Sequence, residues 1–124
     1  MIATSKIIAF VPTTDPARSR AFYEDTLGLH FVKDDGFALV FDANGIMVRI
    51  AKGRDFKPAP YTILGWQESD IDGAVSEMSR QGVRFEQFGL PGQDASGIWT
   101  APNGDKVAWF KDPDGNMLSI SQHN

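Results

Sequence analysis

Two halves of this chain carry one pattern at a nearly constant offset, and that repetition restricts the fold more than any other feature. Ile8 matches Ile63 and Asp15 matches Asp70 at 55 residues, while Gly28 matches Gly82 and Phe31 matches Phe85 at 54. One residue lost inside a second helix accounts for the change. Two modules are therefore expected, at about 1–53 and 61–124, each running strand, helix and then further strands. Neither half could bury its sheet alone.

The local signals agree with this division. Residues 6–11 form an apolar, β-branched run that reads as a strand. Asp15-Pro16 is a helix start, because the carboxylate takes a free N–H and proline has none to leave unpaired. Ser19, Phe22, Tyr23 and Thr26 then share one helical face and Gly28 closes it, which predicts a helix over residues 15–27. Strands are expected at 29–33, 37–41 and 46–51, joined by Asp35-Gly36 and Asn44-Gly45, both preferred hairpin turns. Residues 53–60 carry charge and two prolines without an apolar period and read as a linker.

The second module repeats the order. A strand at 61–66 precedes a helix opened by Ser69-Asp70, with Ile71, Ala74, Val75 and Met78 on one face and Gly82 at its end. Strands follow at 83–85 and 98–101, separated by a Gly/Pro-rich loop at 89–97, with a turn at Asn103-Gly104. A last hairpin pairs 107–110 with 117–120 around Asp112-Pro113-Asp114-Gly115, where proline sets φ and glycine accepts a positive one.

Bulk properties narrow the class of function. The 124 residues are 42% hydrophobic and 23% charged, as expected for one domain with a real core. A formal charge of -4 argues against a nucleic-acid partner, whose phosphates need clustered Lys and Arg. The absence of cysteine removes disulfides, thiolate nucleophiles and Cys-bound metal, and suits a cytoplasmic setting. Nothing approaches the roughly 18 unbroken apolar residues of a membrane span, and the N-terminal segment lacks the pattern of a secretory leader.

Three motifs in order on this repeat carry a family resemblance: Asp15 with Phe22-Tyr23-Glu24-Asp25-Thr26-Leu27-Gly28-Leu29, then Asp70-Ile71-Asp72, then Phe110-Lys111-Asp112-Pro113-Asp114-Gly115-Asn116. The chain resembles the vicinal oxygen chelate superfamily of glyoxalase I, extradiol dioxygenases, fosfomycin-resistance proteins and bleomycin-binding proteins. The resemblance implies an α+β fold of paired βαβββ modules, a mixed sheet curled around a cleft, and a homodimer.

In metal-dependent members of that superfamily the cleft holds a divalent ion on His, Gln or Glu from four strands. The matching positions here are Ile8, Arg49, Ile63 (Leu64 if the register slips by one) and Ser119, and none is a usual ligand. Hard or borderline divalent ions need oxygen or imidazole donors, which aliphatic side chains do not offer. No metal or other cofactor and no catalytic residue is therefore assigned.

Strand alternation selects the candidate wall. If Ile8 faces the cleft, Phe10 and Pro12 do too, as do Met47, Arg49 and Ala51, and on the last strand Met117, Ser119 and Ser121. With Ile63, Trp66, Trp99 and Trp109 these make an apolar, aromatic lining with one cation, suited to a small organic ligand anchored by Arg49 through an anionic group. Arg49 has a competing role as the partner of a surface carboxylate. His30 and His123 fall outside every ligand position, His123 in an expectedly frayed tail, and Asp112 and Asp114 suit a structural turn. The expected function is metal-free binding of an aromatic or amphipathic compound, such as an antibiotic held by sequestration. The alternative is a glyoxalase-, lyase- or dioxygenase-like metalloenzyme with atypical ligands.

Overall fold

A computed structural model describes residues 1–124. The chain divides into two compact units, Met1–Lys57 and Pro58–Asn124. In the first, β1 (Ile8–Thr13) leads into α1 (Pro16–Ala21), followed by β2 (His30–Asp34), β3 (Ala38–Ala43) and β4 (Ile46–Lys52). The second contains β5 (Leu64–Gln67), α2 (Ile71–Arg80), β6 (Trp99–Thr100), β7 (Lys106–Lys111) and β8 (Met117–Gln122). Each unit has a four-stranded mixed sheet, ordered β1-β4-β3-β2 in the first and β5-β8-β7-β6 in the second. In both, the first strand pairs in parallel with the last, across the helical crossover that a parallel pair requires. No helix is long and apolar enough to cross a membrane.

The caps operate as the residue types dictate. The Asp15 carboxylate accepts from the Arg18 amide, and that of Asp70 from the Gly73 amide. Asn44 and Gly45 both take positive φ, 51° and 90°, as a tight two-residue hairpin demands. The other expected two-residue turn is longer: three residues, 35–37, separate β2 from β3.

The first helix differs from expectation. Its regular part ends at Ala21, and Phe22–Thr26 continues as a π-helical turn in which the Leu27 amide donates to the Phe22 carbonyl at 2.9 Å. The wider turn carries the Tyr23 ring into the core, where it has no exposed surface and meets Phe22 edge-on and Phe41 at an angle. Residues 83–85 do not form a strand, and only Phe85 bridges to Phe110. The tail is not frayed either: Asp105 accepts the Asn124 amide at 3.0 Å, and Asn124 donates its side-chain amide to the Asn103 carbonyl at 2.7 Å.

Most of each core lies on the helix side of its sheet. Val11, Phe41, Val48 and Ile50 are buried with Ser19 and Tyr23 in the first unit. In the second, Ile71 and Val75 are buried with Ala108, Phe110, Leu118 and Ile120. Phe110 is the hub, with Trp66 stacked on it at 6.3 Å and Phe85 edge-on at 5.7 Å.

Candidate functional site

The face of each sheet turned away from its helix carries the remaining side chains. In the first unit Ile8 is registered with Met47 and Phe10 with Arg49. Ile8, Phe10 and Met47 are exposed hydrophobics, Phe10 by 63%. A pocket of about 290 Å³ lies at one end of this surface, lined by Lys6, Ile8, Val32, Val40, Asp42 and Met47 among others.

Arg49 is engaged rather than free. Its Nη2 donates to Asp35 Oδ2 at 2.7 Å. The other carboxylate oxygen, Oδ1, accepts the amides of Phe37 and Ala38 at 3.0 and 2.9 Å. The guanidinium hydrogen bond, followed by these two amides, lowers the Asp35 pKa to about 2. Lys52 acts similarly on Asp34 and holds its carboxyl below the ordinary value. Arg49 and Lys52 therefore each already have a carboxylate.

The second unit builds a more aromatic surface. Ser119 is registered with Gly65 on one side and Trp109 on the other. A Cβ at Gly65 would come within 3.0 Å of Ser119 Oγ, so the hydroxyl fills the space that glycine leaves. Trp109 packs edge-on against Phe88 at 5.4 Å and near Trp99 at 6.1 Å. Beside them lies a groove of about 470 Å³ lined by Pro60, Tyr61, Thr62, Phe88, Leu90, Trp109 and Met117. A second hollow of about 430 Å³ shares Pro60, Phe88 and Met117 with it and ends at Lys111.

The loop that carries Phe88 and Leu90 is held by polar side chains. Gln93 Nε2 donates to the carbonyls of Glu86 and Gly97 at 2.9 and 3.0 Å, and its Oε1 accepts the Phe88 amide at 2.9 Å. Asp94 takes the Ser96 hydroxyl and the Ser96 and Ile98 amides, which lower its pKa. Trp99 Nε1 donates to the Pro91 carbonyl at 3.0 Å. The chain's own side chains hold this wall in place.

The structure thus groups Ile8, Phe10, Met47 and Arg49 on one face of the first sheet, and Trp99, Trp109 and Ser119 on one face of the second. Ile63 directly precedes β5, where its amide donates to the Met117 carbonyl. Trp66 lies elsewhere: it is registered with Ile120 and stacked on Phe110, on the helix side of its sheet. Phe88 and Leu90 were not among the residues selected from sequence, because no periodicity marks a loop residue as a wall. The one available signal was the placement of two large apolar side chains beside a Gly/Pro-rich segment.

The donor set does not fit the metal that the superfamily's enzymes hold. Two of the four corresponding positions are aliphatic, the third is a guanidinium bound to Asp35, and the fourth is a buried hydroxyl. No group of three or more His, Asp or Glu side chains that could hold a metal ion occurs in the structure.

A βαβββ unit present twice, with an open sheet face in each, defines an α+β protein of the glyoxalase-like class. The family profile described as Glyoxalase/Bleomycin resistance protein/Dioxygenase superfamily matches residues 6–120, and the chain belongs to that superfamily. Solved structures agree on the fold. The chain is similar to a glyoxalase family protein from Enterococcus faecalis, with a TM-score of 0.75 and 16% identity over 98% of this chain and 99% of the other. It is also similar to a superfamily member from Sphaerobacter thermophilus, with a TM-score of 0.73 and 22% identity over 99% and 100%. A lactoylglutathione lyase from Agrobacterium tumefaciens gives 0.69 and 18% over 96% and 93%. No curated protein matches.

Proposed function

We propose that this protein binds a small aromatic molecule without a metal ion, in the groove formed by Tyr61, Phe88, Leu90, Trp109 and Met117. The observation that carries the reading is the aromatic wall itself, with Phe88 and Trp99 packed against Trp109 beside a groove of about 470 Å³. That volume falls within the roughly 300–1,000 Å³ of small-molecule sites. Rings on this wall offer stacking surfaces to a flat ligand, and Met117 adapts to its outline. Lys111 at the end of the adjoining hollow supplies a cation for an acidic substituent, with Glu86 3.5 Å away as its competitor. Arg49 is not needed for this role, since Asp35 already occupies it.

The ion-free part of the reading rests on the donor chemistry at Ile8, Arg49, Ile63 and Ser119. The test is a thermal-shift screen of purified protein against flat aromatic compounds and aliphatic compounds of equal size, each with and without EDTA. A melting temperature that rises with the concentration of an aromatic compound, equally in chelator, is the expected result. About one tightly held Ni, Zn, Fe or Mn per chain, or stabilisation that disappears in EDTA, overturns it in favour of a metalloenzyme with atypical ligands.

A further inference from the structure

The end of β8 and the start of β7 bring together Ser121, His123 and Asp105. Ser121 Oγ lies 2.9 Å from His123 Nε2, and His123 Nδ1 lies 3.1 Å from Asp105 Oδ2. An ionised carboxylate can only accept, so Nδ1 carries the proton toward Asp105. In the neutral ring this leaves the Nε2 lone pair to accept from the Ser121 hydroxyl. Nucleophile, base and orienting carboxylate thus stand in the order that activates a serine, a constellation defined by geometry and not by position in the chain.

The surroundings support a reacting centre. Asp105 is itself fixed: the Asn124 amide donates to its Oδ1 at 3.0 Å, and Asn103 Nδ2 lies 3.3 Å from its Oδ2. The Asn124 amide and then the His123 ring keep its carboxyl ionised below the ordinary range. Ser121 and Ser119 share the sheet face that carries the aromatic wall. Gln67 on β5 and Val107 on β7 are the cross-strand neighbours of Ser121, with Trp109 two residues further along β7. Gln67 is exposed there.

We propose that Ser121, His123 and Asp105 form an acyl-transfer centre that takes activated esters with an aromatic leaving group. Ser121 Oγ attacks the ester carbonyl carbon as its proton passes to His123 Nε2. The bond to the aryloxy group then breaks, and that group leaves with the proton as a phenol. Water attacks acyl-Ser121, gives its proton to His123, and releases the acid while the proton returns to Ser121. Ser121 and His123 are the catalytic residues, and Asp105 is a positioning residue. The relay is independent of whether the groove holds a resident ligand.

The full-length protein incubated with p-nitrophenyl acetate tests this by intact-mass and peptide analysis. One acetyl group per chain, located on Ser121, is expected, with none on that peptide in Ser121→Ala. His123 is half exposed, so His123→Gln preserves the fold, and it should slow acetylation of Ser121 about a hundredfold, the scale of general-base assistance. Asp105→Asn should slow the same step, with rescue by Asp105→Glu. Acetylation confined to lysines, no acetyl-Ser121 together with no release of p-nitrophenol above that of Ser121→Ala, or a Ser121 rate unchanged in His123→Gln overturns the proposal.

Discussion

Arg49 and Asp35 are joined at 2.7 Å, and the same carboxylate also caps the turn between β2 and β3 through the Phe37 and Ala38 amides. Strand β4 is thereby tied to a loop fourteen residues earlier by one side chain. Because the folded Asp35 carboxyl titrates at about 2, below the roughly 3.9 of an unfolded aspartate, its contribution to stability is fully present above the unfolded value. It is lost as the pH falls from about 4 toward 2. Urea midpoints measured across that window should fall for the wild type more steeply than for Asp35→Asn, which starts lower at neutral pH. Parallel curves for the two proteins would remove Asp35 as the source.

Phe110 should be the most costly truncation in the second unit. It is fully buried and meets both Trp66 and Phe85. Replacing it with alanine removes the apolar contacts and leaves a cavity between two rings that cannot both collapse into it. The expected loss is about 3–5 kcal/mol, read from chemical denaturation. The fluorescence of Trp66 should shift to the red in the folded variant.

Asp112 tests the role of the last turn. Its Oδ1 accepts the Asp114 and Asn116 amides at 2.9 Å each, and Oδ2 accepts Asn116 Nδ2 at 2.9 Å, within a turn where Asp112 and Asn116 are both buried. Asp112→Ala leaves those donors without their acceptor and should cost about 1–3 kcal/mol. Asp112→Asn keeps Oδ1 as an acceptor and should cost less. Equal losses for the two variants would show that the carboxylate's charge, and not its acceptor geometry, holds the turn.

The sequence revealed the order of elements because their ends are written in short-range chemistry. Asp15, Asp70, Asn44-Gly45 and Asp112-Pro113-Asp114-Gly115 each act on backbone groups within a few residues, so their effect is visible without the fold. The π-helical turn at Phe22–Thr26 is not written this way, since it depends on burying Tyr23 against Phe41 across the sheet. Trp66 enters the candidate wall for its flat ring and not by alternation, and its register with Ile120 puts it on the core face. The Arg49 pair and the wall residues Phe88 and Leu90 depend on contacts distant in sequence or on a loop pinned by Gln93, and no periodicity encodes either.

Trp109 and Trp66 provide the contrast that separates ligand binding from core packing. Both are tryptophans in the second sheet, yet Trp109 lines the groove against Phe88 and Trp99, whereas Trp66 stacks on Phe110 beneath the opposite face. Removing the Trp109 ring deletes a stacking partner worth about 0.5–1.5 kcal/mol beyond its buried area. Trp109→Ala should therefore weaken binding of an aromatic compound selected by thermal shift by about tenfold, equivalent to about 1.4 kcal/mol. Trp66→Phe should lower the melting temperature while leaving the dissociation constant unchanged, because its ring does not reach the groove. Isothermal titration of both variants makes the comparison. If Trp66→Phe weakens binding as much as Trp109→Ala, the compound is responding to the integrity of the fold and the groove is not its site.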